Sequence, residues 1–66
     1  MKFAVIHCVN GTFALDSEWT DKQQAIINYH SVCSTLWNAK DVNNAVVTLV
    51  NEKFETVKIE YIKYSI

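Results

Sequence analysis

The chain has 66 residues, half of them hydrophobic, a net charge of −1, six lysines and no arginine. A chain this short forms one domain, residues 1–66, and buries only about 60% of the surface it exposes when unfolded; low charge with high aromatic content excludes disorder. Scattered lysines argue against a nucleic-acid binder, which needs a basic stripe and arginine forks, and no apolar run reaches the roughly twenty residues of a membrane span.

Met1-Lys2 leads into a short alternating strand rather than the apolar run of a signal peptide, so a cytoplasmic location is expected. In that compartment Cys8 and Cys33 stay reduced and serve as small core residues. In chain order the elements read strand 2–9, turn 10–11, strand 12–19, helix 21–39, strand 44–50, turn 51–53 and strand 54–64.

The only glycine stands in Asn10-Gly11, the pair that best tolerates the two positive φ angles of a type I′ turn. A two-residue loop there opposes Val9 to Thr12, Cys8 to Phe13, His7 to Ala14 and Ile6 to Leu15, and opposed residues share a face. The expected inward set is therefore Ala4, Ile6, Cys8, Phe13, Leu15 and Trp19. Phe3, Val5, His7, Val9, Thr12, Ala14, Asp16 and Glu18 point the other way. The first strand is apolar on both sides, as an inner or partner-covered strand is.

Thr20 with Gln23, or Asp21 with Gln24, offers a capping box for the helix. At 100° per residue Ala25, Tyr29, Val32, Cys33 and Leu36 form one apolar stripe, flanked by Ile26 and Trp37, while Ile27 is stranded on the polar side. Such a helix has one buried face and lies on a sheet. Asn38 and Lys40-Asp41 mark its end, with Lys40 placed near the negative end of the dipole.

A loop at Asn51-Glu52-Lys53 puts Ala45, Val47, Leu49, Val57, Ile59 and Tyr61 on one face of the second hairpin. Val46, Thr48, Val50, Phe54, Thr56, Lys58 and Glu60 then take the other. A one-residue slip would exchange the faces, and the pattern shifts phase at Ile62 and Tyr64, a hint of a bulge or a partner-seeking end.

The expected fold is α+β with the order ββαββ, a four-stranded, mostly antiparallel sheet with one helix packed on one face. A single helix cannot cover both faces of a sheet. Phe3, Val5, Val9, Val46, Val50 and Phe54 are expected on the uncovered face, and a contiguous apolar patch marks a partner surface. A second copy of the chain is the simplest partner, giving a homodimer.

Candidate chemistry is thin. His7, Cys8, His30 and Cys33 are zinc-ligand types, but His7 and Cys8 are neighbours on a strand and point to opposite faces. Cys33 with His30 fails as a nucleophile pair, since a thiolate needs an electropositive, open setting. Asp16, Glu18 and His7 could serve acid–base chemistry only in a pocket, which a small flat sheet lacks. Phe3 and Phe54 could stack single-stranded bases, without basic neighbours to hold the backbone. No catalytic residue, cofactor or metal is assigned.

Ser17-Glu18-Trp19-Thr20-Asp21 leading to Ala25-Ile26-Ile27, Leu36-Trp37-Asn38-Ala39, and Val50-Asn51-Glu52-Lys53-Phe54-Glu55-Thr56-Val57 resemble segments of small uncharacterised bacterial and prophage-borne proteins. The resemblance covers most of the chain and implies an accessory protein of a bacterium or phage, with no activity or site residue attached. The leading expectation is a non-enzymatic protein that binds protein, first itself and then a host or phage target. Single-stranded nucleic-acid binding on the sheet face and a small metal-dependent or acid–base enzyme are the alternatives.

Overall fold

The computed structural model describes residues 1–64. Its strands are β1 (Phe3–Val9), β2 (Thr12–Trp19), β3 (Ala45–Asn51) and β4 (Thr56–Ile62), and α1 (Lys22–Asn38) runs between the two hairpins. The strands form one antiparallel sheet in the order β2-β1-β3-β4, so the chain is an α+β fold of ββαββ order.

Asn10 and Gly11 have φ of 51° and 85°, the signature of the type I′ turn that this residue pair favours. From this turn Val9 pairs with Thr12, Cys8 with Phe13, His7 with Ala14 and Ile6 with Leu15, as the loop length dictates. The helix, however, lies on the other side of the hairpin from the one expected. Val5 is fully buried in the core with Ala25, Tyr29 and Cys33, and Phe3 and Val9 pack against the same cluster. These three residues are therefore core and leave the expected interface.

Two physical reasons account for the inversion. First, β1 is apolar on both sides, so its own pattern cannot choose a face; its partner β3 chooses. Ala45, Val47 and Leu49, all fully buried, stand opposite Val9, His7 and Val5, which fixes those β1 positions beneath the helix. Second, β2 carries a bulge. Leu15 pairs with Ile6 but Ser17 pairs with Val5, so Asp16 is the extra residue and the strand reverses its faces there. Of the expected inward set Ala4, Ile6, Cys8, Phe13, Leu15 and Trp19, only Trp19, beyond the bulge, packs on the core.

The second hairpin turns one residue later than expected. The Asn51 carbonyl accepts the Phe54 N–H at 2.9 Å and the Asn51 N–H donates to the Glu55 carbonyl at 3.1 Å, making the loop 52–54. Asn51 Oδ1 also accepts the N–H groups of Lys53 and Glu55, at 2.9 and 3.1 Å. Beyond it Val50 pairs with Thr56 and Leu49 with Lys58, so Val57 is a second bulge residue. The later turn shifts both strands equally and keeps the faces, so the bulge alone reverses the outer half of β4. Ile59 and Tyr61, expected inside, are half exposed, and Ile62 is fully buried. The phase shift at Ile62 and Tyr64 originates at Val57.

The helix follows its pattern. Asp21 is the N-cap, its carboxylate accepting the Gln23 N–H at 3.0 Å. Ala25, Tyr29 and Cys33 are buried, Ile26, Val32 and Leu36 pack beside them, and Ile27 is exposed. Lys40 directly follows the C-cap Ala39, whose carbonyl accepts a hydrogen bond from the Lys63 ammonium, from beyond β4.

Candidate functional site

With the helix on one side, the other side of the sheet is open, and the register arranges its side chains in rows across the four strands. Phe13, Cys8, Val46 and Tyr61 form one row; Leu15, Ile6, Thr48 and Ile59 the next; Glu18, Ala4, Val50 and Thr56 the last. The largest side chains stand on the outer strands and are the most exposed: Phe13 is 81% exposed, Tyr61 60%, Leu15 56% and Ile59 47%. The inner strands supply a lower floor, in which Cys8, Ile6, Val46 and Thr48 are half-buried and Val50 is buried. The face is thus a shallow trough with aromatic and aliphatic walls. Glu18, at one corner, is the only charged residue in these rows.

Two clefts open along the trough. One, of about 360 Å³, lies between Phe13 and the Tyr61–Tyr64 pair, over Ile6, Cys8, Val46 and Thr48. The other, of about 190 Å³, is bordered by Ala4, Ile6, Val50 and Phe54 and by the charged residues Lys2, Glu18 and Glu52. Both ends are finished by backbone that a side chain dislikes. Phe54 has φ of 61° with its side chain largely exposed, and Lys63 has φ of 60°, which turns Tyr64 back to meet Tyr61 edge-on at 6.0 Å. Non-glycine residues in this region cost roughly 1–2 kcal/mol, and such strain collects where a surface is used.

Of the expected interface residues, Val46, Val50 and Phe54 lie on this side, whereas Phe3, Val5 and Val9 lie under the helix. The residues that replace them are Ile6, Phe13, Leu15, Ile59 and Tyr61. Sequence offers one partial signal: Ala45 and Val47 in the third strand are smaller than the edge-strand residues Phe13, Leu15, Ile59 and Tyr61.

The bulge also separates the carboxylates read as an acid–base group. Asp16 stays on the helix side, with Oδ1 4.0 Å from His7 Nδ1, while Glu18 pairs across from Ala4 on the open side. His7 Nδ1 is buried without a hydrogen-bond partner. His7 and Asp16 border a cleft of about 260 Å³ with Asn28, Ser31 and Thr35 of the helix. Asn28 Oδ1 is already engaged by the Ser17 hydroxyl at 2.6 Å, and that hydroxyl in turn accepts the Trp19 indole N–H at 2.7 Å. These bonds form a polar seam between helix and sheet, beside the cleft that leaves His7 Nδ1 unpartnered.

The cysteines and His30 do not converge. Both thiols are free; Cys33 is buried under the helix, Cys8 is on the open face, and His30 is exposed with its ring against Tyr29 at 5.2 Å. Burial pushes the Cys33 thiol up, and the Glu60 carboxylate adds to the effect. Burial likewise holds the Tyr29 phenol above the usual tyrosine range, with Cys33 and Glu60 as further causes. A raised thiol is a poor nucleophile. Among the described residues no group of three or more His, Cys, Asp or Glu side chains is placed to hold a metal ion, and no helix is long and apolar enough to cross a membrane.

Comparison of the chain with protein-family models, with curated proteins and with solved structures finds no match to any of them.

Proposed function

We propose that this protein is a non-enzymatic binding module whose open sheet face is its working surface, and that the first partner of that face is a second copy of the chain. The observation that carries the reading is the trough itself: four large apolar side chains exposed together, with charges only at one end, where Lys2, Glu18 and Glu52 border the smaller cleft. Solvent-facing sheets alternate apolar and polar, and a contiguous apolar patch on a small domain marks a contact surface.

Face-to-face contact is favoured over edge-to-edge contact. Both edge strands carry a bulge and charges, Asp16 and Glu18 on β2 and Lys58 and Glu60 on β4, the devices that blunt an edge against strand addition. Lys2 is the one lysine bordering the clefts of the open face, and it shares its cleft with Glu18 and Glu52, which weighs against a phosphate-bearing partner.

Four strands at about 4.8 Å spacing and roughly seven residues in length give on the order of 450 Å² of flat face per copy. Two such faces give about 900 Å² in total, below the roughly 1,200 Å² at which stable interfaces begin and in the range of weak, transient ones, so a dimer of low affinity is expected. Sedimentation equilibrium from low micromolar to millimolar protein tests this. A monomer–dimer curve supports the reading; a strict monomer throughout, with no binding of a hydrophobic dye, overturns it.

A further inference from the structure

We propose that Asn10 is a modification site, which deamidates to aspartate and isoaspartate when the tip of the first hairpin opens and is kept intact by the turn while the tip is closed. The reaction requires no enzyme. The Gly11 backbone nitrogen bonds to Asn10 Cγ, the Cγ–Nδ2 bond breaks, and Nδ2 leaves as ammonia with the proton that the Gly11 nitrogen gives up. Water then opens the cyclic succinimide at either carbonyl, giving aspartate or, with the main chain rerouted through Cγ, isoaspartate. A following residue without Cβ leaves the attacking nitrogen least hindered, and Gly11 is the only glycine of the chain. The other five asparagines precede Tyr29, Ala39, Asn44, Ala45 and Glu52.

Water reaches this site freely. Asn10 and Gly11 are both exposed, and a Cβ placed on Gly11 would meet no atom within 4 Å. Protection comes from geometry instead. Asn10 and Gly11, at φ of 51° and 85°, form a type I′ turn, which as the mirror image of type I holds ψ of its first central residue at roughly +30°. At that angle Asn10 Cβ lies nearly anti to the Gly11 nitrogen across the Cα–C bond, whereas ring closure needs the two nearly syn. The side chain is also held in place. Oδ1 accepts the Asn43 and Asn44 N–H groups at 2.8 and 3.3 Å, and Nδ2 donates to the Asp41 carbonyl at 3.1 Å. The Asn10 N–H donates to the Asn44 carbonyl at 2.9 Å. Attack requires these bonds to break and ψ to rotate, which is a local opening of the tip away from segment 41–44.

The change is one-way in structure as well as in chemistry. Aspartate replaces the Nδ2 donor with a carboxylate oxygen that faces the Asp41 carbonyl, so an attraction becomes a repulsion. Isoaspartate lengthens the backbone of a two-residue loop and removes the side-chain amide that binds segment 41–44. Either product favours the open tip over the closed one and adds a negative charge to a chain of net charge −1. The modified fraction thus records how long the tip has spent open.

The test follows the mass gain of amide-to-acid conversion at residue 10 in the parent chain, held at mildly alkaline pH with and without unfolding guanidinium chloride. The native chain is expected to convert at least about tenfold more slowly than the unfolded one, because reaction waits on the open fraction. Gly11→Ala, compared in guanidinium where its positive φ costs nothing, should slow the conversion severalfold. Asn10→Asp, which makes one product directly, should shift the folding equilibrium about fivefold or more toward the unfolded state. Equal rates with and without denaturant overturn the protection by the turn. An unfolded chain that leaves residue 10 unmodified overturns the site, and Asn10→Asp as stable as the parent chain overturns the one-way change in structure.

Discussion

Asn10 Oδ1 accepts the backbone N–H of Asn43 at 2.8 Å, joining the tip of the first hairpin to the segment that leads from helix to β3. The same oxygen takes the Asn44 N–H at 3.3 Å, Asn10 Nδ2 donates to the Asp41 carbonyl at 3.1 Å, and the Asn10 N–H donates to the Asn44 carbonyl at 2.9 Å. Asn10 thus does two jobs, accepting φ of 51° and tying down a connection that has no regular structure of its own.

The two jobs separate by substitution. Asn10→Gly keeps the turn, and by propensity alone should be harmless, but it deletes the side-chain bonds to residues 41, 43 and 44. A loss of about 1–2 kcal/mol in urea unfolding is expected. Asn10→Ala loses the same bonds and adds the strain of positive φ, so it should be roughly 1 kcal/mol worse again. Equal stability of Asn10→Gly and the parent chain would show that the tie contributes nothing.

Val5 and Ile6 are neighbours with opposite fates. Val5 is fully buried beneath the helix, and Ile6 is on the floor of the open face. Val5→Asp buries an unpaired carboxylate and is expected to abolish the cooperative unfolding transition. Ile6→Lys should retain the far-UV spectrum of the parent chain and lose self-association, because a lysine there can reach water in the monomer but not in the dimer. Paired circular dichroism and sedimentation on the two variants check this; a folded Val5→Asp would place the helix on the other side.

These neighbours also mark where the sequence was legible. The element order, the type I′ turn, the helix and its buried stripe follow from local chemistry: Asn-Gly, an N-cap aspartate, apolar spacing of three and four. The choice of faces does not, because it depends on parity carried through the whole strand. Asp16 and Val57 each insert one unpaired residue, and neither is signalled by a glycine. Asn51 hides the second turn in a similar way, since its side chain satisfies the N–H groups of Lys53 and Glu55 and lets Phe54 occupy a position that usually demands glycine. The candidate surface was therefore expected on the correct principle, one helix and two faces, with half of its residues taken from the wrong side.

Alkaline pH should destabilise the fold. Tyr29 and Cys33 both ionise less readily in the folded protein than in the unfolded chain, chiefly through burial. The unfolded chain releases these protons first, so the folded state holds more protons and stability falls as pH rises. The loss begins near pH 9, where an unfolded cysteine ionises, and steepens above about pH 10 as tyrosine joins. Below pH 8 neither group contributes any slope. Urea midpoints measured between pH 7 and 11 should fall along this limb, and Tyr29→Phe and Cys33→Ala should each flatten it. An unchanged limb in both variants would assign it to other groups.

Phe54 sets local stability against the surface. At φ of 61° it occupies the left-handed position of its loop, while its ring is 82% exposed and rests on nothing that would repay the strain in the monomer. Phe54→Gly relieves the Cβ clash and is expected to raise the stability of the monomer by about 1 kcal/mol, even after glycine's greater unfolded entropy is counted. For a domain of this size that corresponds to a rise of roughly 4–8 °C in Tm. The same change removes an aromatic wall of the smaller cleft, next to Val50 and Ala4. Self-association should therefore weaken as the monomer becomes more stable. Thermal unfolding at a concentration where the chain is monomeric, with sedimentation at a higher one, measures the two effects separately. A variant more stable and equally dimeric would confine the role of Phe54 to its loop; one less stable would show that the ring packs in the monomer.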